Sequence, residues 1–214
     1  MTLTRETRKR NFDSISSPST LTTAQYNALH SKGFIIIKNF IEVEEKVVKH
    51  MKKQVIRKGV PIFGVDLKRT QSNLSLSSVN IKRFMCNLNS KIDELFNSDC
   101  YNRSNWVVLH SKLGSKRQQP HHDYEPSEKL SNCPDNKFPL AILSALMDKT
   151  TLNVWLDGKE EVAQLSKGDI LIFRGDFIHA GSAYEEENVR MHCYLDSPFV
   201  PRAPNRTHII DELL

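Results

Sequence analysis

The stretch 167–181, KGDILIFRGDFIHAG, decides the fold. Ile170 to Phe173 is a β-branched and aromatic run short enough to be a buried strand. Arg174-Gly175-Asp176 is a turn signal, and Phe177 to Ala180 resumes as a second strand that carries His179 next to small residues. The turn between the two runs leaves no room for a crossover helix, so a βαβ sheet is excluded locally. The same pattern repeats on either side. Trp106–Leu113, Leu140–Met147, Thr151–Leu156 and Val189–Leu195 read as strands, with another turn at Leu156-Asp157-Gly158-Lys159. Short strands at this spacing predict a barrel or sandwich for the second half of the chain.

The first half reads differently. Residues 1–20 mix Arg8-Lys9-Arg10 with a serine-rich run and have no apolar period, which predicts a disordered basic tail. Thr22 or Thr23 caps a short helix that Gly33 stops, and Phe34–Ile37 follows as a strand. A helix from Val43 to about Arg57 has Val47, Val48, Met51 and Val55 on one side and Lys46, Lys49, Lys52 and Lys53 on the other. Gly59–Ser78 is rich in Ser, Asn and Gln and reads as an irregular loop, after which Ile81–Phe96 regains helical spacing. The expected architecture is α+β: helical support over 21–100, a β core over 104–200, and one domain spanning 21–214.

Composition narrows the class. The chain has 214 residues, 26% of them charged and 39% hydrophobic, the balance of a globular protein rather than a fibrous or disordered one. Its longest apolar runs fall far short of the roughly 20 residues that span a bilayer. The opening MTLTRETRKRNF is charged where a secretory signal would be apolar, so an intracellular, cytoplasmic protein is expected, with nuclear import through Thr7–Arg10 as the alternative. Cys86, Cys100, Cys133 and Cys193 have neither zinc-knuckle nor disulfide-framework spacing and read as reduced, structural thiols. Lys and Arg outnumber Asp and Glu by 17 to 9 in residues 1–100, while the remainder is acidic at 13 to 16. The basic half is a solvated surface or a polyanion-binding one.

Chemistry concentrates in the β half. In Gln119-Pro120-His121-His122-Asp123-Tyr124, residues at i and i+2 of an extended segment share a side, so His121 and Asp123 can converge on one cation while His122 points away. His179 suits the third ligand. Two imidazoles and a carboxylate on one face of an octahedron leave three positions open, the donor set of non-haem Fe(II) and O₂ chemistry. Arg190 lies one hairpin return beyond His179, where its planar fork would suit a carboxylate.

With these residues in place the chain resembles the 2-oxoglutarate and Fe(II)-dependent dioxygenases, in particular their phytanoyl-CoA-hydroxylase-like branches. The resemblance rests on His-x-Asp at 121–123, His179 and then Arg190, on the strand and turn 167–176, and on the opening helix and strand through Phe40. It covers residues 21 to 200 and implies a double-stranded β-helix (jelly-roll, cupin-like) core with N-terminal supporting helices. It further implies that His121, Asp123 and His179 hold Fe(II), and that Arg190 pairs with the distal carboxylate of 2-oxoglutarate. Where some branches place Ser or Thr two positions after that arginine, this chain has His192, either a second anchor or a residue packed in the barrel wall. The implied activity couples O₂ and 2-oxoglutarate, which is decarboxylated to succinate, to hydroxylation or oxidative demethylation of an unidentified substrate.

Secondary features are weighed beside it. Tyr124 and Trp155 line the substrate mouth or belong to the core, and His110 and Lys112 face the barrel interior or solvent. Glu125–Phe138 is the first candidate for a substrate lid and Gly59–Ser78 the second. Glu185–Glu187 reads as a solvated turn. Two alternatives stand beside the oxygenase: a non-catalytic scaffold retaining the fold, and a nucleic-acid-modifying oxygenase whose basic half, with Lys49, Lys52, Lys53, Arg57 and Lys58, holds the polyanion.

Overall fold

The computed structural model describes residues 20–62, 66–96, 101–134, 137–203 and 207–211. The predicted basic tail, apart from Thr20, and Cys100 lie outside them. Helix α1 (Thr23–Lys32) opens on a capping box, with the Gln25 amide donating to the Thr22 hydroxyl at 3.2 Å and the Thr22 amide donating to the Gln25 side chain at 2.9 Å. It stops at Gly33, whose φ of 82° is left-handed and whose missing Cβ is replaced by the edge of the Phe177 ring. Then come β1 (Phe34–Ile37), α2 (Glu45–Lys58), β2 (Val60–Ile62), β3 (Asp66–Asn73), α3 (Val79–Leu95), β4 (Asn102–Arg103), β5 (Val107–Ser111) and β6 (His121–His122). The rest are α4 (Glu128–Ser131), β7 (Leu140–Ala145), β8 (Thr150–Leu156), β9 (Lys159–Leu165), β10 (Ile170–Arg174), β11 (His179–Gly181), β12 (Asn188–Asp196) and β13 (His208–Ile209).

Two antiparallel sheets face each other. The larger has the order β1-β10-β7-β12-β5-β3-β2, with β4 also on β12, and the smaller β13-β6-β11-β8-β9. Strand alternation divides the apolar residues of the central strands between two cores. Ile142 of β7, Ile170 and Ile172 of β10, and Val189, Met191, Cys193 and Leu195 of β12 turn outward and are covered by α2 and α3 through Val47, Met51, Ile81, Leu88 and Ile92. Ala141, Leu143, Ala145, Leu171 and Phe173 turn inward against Leu152, Val154, Ala163 and Leu165 of the smaller sheet. Strands β7 and β10 are buried on both faces, which is why they read as continuous apolar runs. Leu88 is fully buried at the helix–sheet interface. Leu88→Ala is expected to cost about 2–5 kcal/mol in denaturant unfolding, the range for an unrelaxed core cavity.

Several expectations are corrected. The segment 59–78 is not an irregular loop, because β2 and β3 add a hairpin to the larger sheet, with β3 paired to β5 from Arg69↔Ser111 to Asn73↔Val107. Only Arg69 and Ser72 of β3 are buried, both polar, so the strand carries no apolar alternation and only its tertiary pairing defines it. Helical support over 21–100 is therefore interrupted by β2 and β3 in addition to the expected strand β1. Strand β9, Lys159–Leu165, was hidden by its charges. It is an exposed edge joined to β8 by the tight turn at Asp157 and Gly158, with φ of 50° and 74°. The smaller sheet also extends past residue 200 to β13. His110 faces neither the barrel interior nor solvent. It points to the helix side, with Nε2 2.7 Å from Glu187, while Lys112 is exposed. Glu187 also pairs with Lys52, so the acidic run is not simply a solvated turn. Among the described residues no helix is long and apolar enough to cross a membrane.

Candidate metal centre

His121 and His179 are directly opposed across the antiparallel pair β6–β11, with ring centroids 4.4 Å apart. Asp123 sits on the bend after β6, where the amides of Asp123 and Tyr124 both donate to the Gly175 carbonyl, at 3.2 and 2.9 Å. The turn at Arg174-Gly175-Asp176 thus does two jobs: it feeds β11, and it clamps the acid. Gly175 is required by that clamp, because a Cβ there would run into the Tyr124 ring. His122 points away, with Nδ1 2.6 Å from the Asp176 carbonyl oxygen.

One ligand atom from each of His121, Asp123 and His179 lies within 4.8 Å of the others, and all three residues are buried. Nδ1 of His121 is 2.7 Å from the Gln119 carbonyl oxygen, and Nδ1 of His179 is 2.9 Å from that of Phe177. A carbonyl only accepts, so each Nδ1 carries the proton and each Nε2 is the unprotonated nitrogen, the one able to ligate a cation. Asp123 Oδ1 accepts from the Tyr194 hydroxyl at 3.0 Å. Its Oδ2 lies 3.6 Å from His179 Nε2 and, though buried, has no hydrogen-bond partner among the described residues. An orphaned, buried carboxylate oxygen in a cluster with two imidazoles fits a divalent cation of the Fe(II) type. Removing the Tyr194 hydroxyl frees that carboxylate to turn. Tyr194→Phe is expected to weaken metal affinity about 10–100-fold, read by competition with a chelating dye.

Protonation follows burial. Desolvation, reinforced by the neighbouring His179, lowers the pKa of His121 to about 4. Desolvation does the same to His192, again to about 4. Burial works against ionisation of Asp123, but His179, His192 and His121 together hold its carboxyl below its ordinary value. For the histidines the unfolded chain binds the proton more tightly than the folded one, so their contribution to stability is complete above about pH 6.5 and is lost as pH falls toward about 4. The contribution of Asp123 is lost in the same direction, below the ordinary carboxylate pKa. Denaturant midpoints of the metal-free protein are expected to fall steadily across that window, with m-values unchanged.

The centre opens into a cavity of about 820 Å³. Alternation along β12 brings Arg190, His192 and Tyr194 into it while their neighbours face the helices. Arg190 is 2% exposed, its Nη1 donates to the Ser111 hydroxyl at 3.1 Å, and its guanidinium lies 5.1 Å from the centre of the Tyr184 ring. His192 stands in the wall between Phe173 and an edge-on Tyr194. His121, Asp123, His179, Arg190 and His192 therefore all line one cavity. Tyr124 and Trp155 are buried and do not line it, and Tyr124 instead donates its hydroxyl to Asp196. Glu125–Phe138 contributes no lining among its described residues, and Leu130 and Cys133 pack on Tyr124 and Val200. The second lid candidate supplies Val60, Ile62, Gln71 and Asn73. Sequence reasoning missed Tyr194, although it continues the alternation of Arg190 and His192.

No protein-family model matches the chain, and no curated protein matches it by sequence. Solved structures do. A prolyl-4-hydroxylase from Pseudomonas putida superposes with a TM-score of 0.61 at 12% identity, covering 81% of this chain and 97% of its own. HygX from Streptomyces hygroscopicus, solved with nickel and 2-oxoglutarate bound, gives 0.62 at 11% identity over 84% and 89%. The non-haem α-ketoglutarate-dependent epimerase SnoN of nogalamycin biosynthesis gives 0.64 at 13% identity over 89% and 85%. The chain has the double-stranded β-helix fold of the 2-oxoglutarate/Fe(II)-dependent oxygenases.

Proposed function

We propose that this chain is an Fe(II)- and 2-oxoglutarate-dependent oxygenase that hydroxylates or oxidatively demethylates a substrate not yet identified. The observation that carries the reading is the buried His121–Asp123–His179 cluster, with one carboxylate oxygen of Asp123 unpartnered among the described residues, sharing a cavity with Arg190. Its fold is that of proteins solved with iron or nickel and 2-oxoglutarate. Bound Fe(II) would supply the activation of O₂ coupled to conversion of 2-oxoglutarate to succinate and CO₂. The protein's own residues do the rest. His121, Asp123 and His179 hold the ion, Tyr194 fixes the carboxylate, Arg190 takes the distal carboxylate of the co-substrate, and His192, neutral at pH 7, packs beside it. Leu109, Leu143, Leu152 and Phe173 keep that end of the cavity dry. Anaerobic addition of Fe(II) and then 2-oxoglutarate tests the reading: a weak visible charge-transfer band that needs both additions is expected. A folded protein that binds no iron overturns the reading in favour of a scaffold.

One observation favours a polyanionic substrate. Lys49, Lys53, Arg57 and Lys58 are exposed on α2, and Lys58 reaches the cavity mouth. Binding to single-stranded DNA or RNA that weakens steeply with salt is the expected sign of it, and indifference to salt removes it. The unpaired Cys86, Cys133 and Cys193 suit a reducing, intracellular setting.

A further inference from the structure

Arg190 is not the only cation buried at its end of the barrel. Arg69 of β3 is 1% exposed. Its Nη2 donates to the carbonyls of Lys116 at 2.8 Å and Ser182 at 2.6 Å, but its Nε and Nη1 are buried and have no hydrogen-bond partner among the described residues. Nη1 points to Gly181, a cavity-wall residue, so closely that a Cβ on Gly181 would stand 2.6 Å from it. The two guanidinium groups share one aromatic neighbour, at 5.9 Å and 5.1 Å from the centre of the Tyr184 ring. Among the described residues neither forms an ion pair. Asp66, on the same strand as Arg69, spends both carboxylate oxygens on the amides of Lys68 and Lys116. Burial, and then the charge of Arg190, lower the pKa of Arg69 to about 10, which leaves it charged at neutral pH.

Two buried like charges with no counter-ion among the described residues are costly, and the unspent N–H groups on two Arg69 nitrogens add to the cost. A fold carries such a pair stably when an anion completes it. We propose that Arg69 is a second positioning cation for the co-substrate, standing behind Gly181 and acting with Arg190 to make the end of the cavity a two-arginine carboxylate site. The proposal rests on the oxygenase reading, and it concerns a residue from β3, outside the β12 strand that carries Arg190. Its role is to set the potential and the donors around the distal carboxylate, so affinity for the co-substrate depends on its charge. Metal binding does not.

Calorimetric titration of 2-oxoglutarate into the Mn(II)-loaded protein, and of glutarate into the metal-free protein, tests this in wild type, Arg69→Met and Arg69→Lys. Glutarate keeps the distal carboxylate and lacks the keto acid, so it reports the arginine end without the metal. Arg69→Met is expected to lose at least about 10-fold in affinity for both ligands, the effect of one buried charge several ångströms away at an effective dielectric of about 20. Its Mn(II) affinity stays at the wild-type value. Arg69→Lys keeps the charge and is expected to stay within about 3-fold of wild type, roughly 0.6 kcal/mol. Should Arg69→Met not fold, Arg69→Lys decides together with Arg69→Gln, which removes the charge while keeping a donor. Wild-type affinities in the charge-removing variants overturn the proposal and leave the oxygenase reading standing. Dicarboxylate binding that needs Arg69 in a protein that takes up no divalent metal overturns the oxygenase reading and leaves the anion site standing. A wild-type protein that binds neither 2-oxoglutarate nor glutarate overturns the proposal outright.

Discussion

His179→Ala is expected to abolish iron binding and, with it, succinate formation. Among the described residues the imidazole is one of three protein donors converging on the centre, it opposes His121 across a strand pair, and its Nδ1 is already committed to the Phe177 carbonyl. Loss of a mere hydrogen-bonding partner of a ligand costs about 10–100-fold in metal affinity, so loss of a ligand itself should exceed about 100-fold. The fold should survive. His179 contacts the Phe173 ring and His121, and β11 stays paired to β8 through backbone groups that the substitution leaves alone. Metal content after dialysis and succinate yield with excess 2-oxoglutarate are the two readings. A variant that retains one equivalent of iron would assign the metal to some other set of residues.

Arg190→Met separates co-substrate from metal. Truncating one side of a buried, hydrogen-bonded charge pair costs about 2–5 kcal/mol, so the apparent affinity for 2-oxoglutarate should fall by about 30-fold or more. Iron binding should be unchanged, because Arg190 is not a ligand. Arg190→Lys should recover only part of the loss, since a point charge cannot reproduce the planar fork that also donates to Ser111. The effect should appear in KM far more than in kcat. Equal loss in both would indicate that Arg190 acts on the reaction itself rather than on binding.

Much of this centre is visible in the sequence because strand geometry is periodic. The i, i+2 rule brings His121 and Asp123 to one side and sends His122 to Asp176, and the same rule along β12 puts Arg190 and His192 in the cavity. Helices α1, α2 and α3 were legible from caps and apolar spacing. What sequence could not show is structure whose stability comes from pairing alone. Strand β3 buries an arginine and a serine, and β9 opens on Lys159-Glu160-Glu161, so both resemble loops until a partner strand lies beside them. Arg69 was lost with β3. The contacts of Glu187 with Lys52 and His110 join a turn to α2 and β5 across long sequence separations, which no local pattern records.

The strands that line the candidate site differ greatly in how firmly they are held. Arg190 stands on β12, nine residues long and paired on both sides by β5 and β7. His121 stands on β6, two residues long, flanked by β11 of three and β13 of two. Backbone amides of β12 should therefore exchange with deuterium only through global unfolding, whereas those around β6 exchange through a local opening of much lower free energy. A bound ion would then have an exit that leaves the barrel intact. Its escape follows the fraying of one short ribbon, and chelators should strip the protein long before denaturants melt it. In return, a seated ion ties β6 to β11 and to the Asp123 bend, and amide exchange in that ribbon should slow on loading while β12 keeps the rate it had.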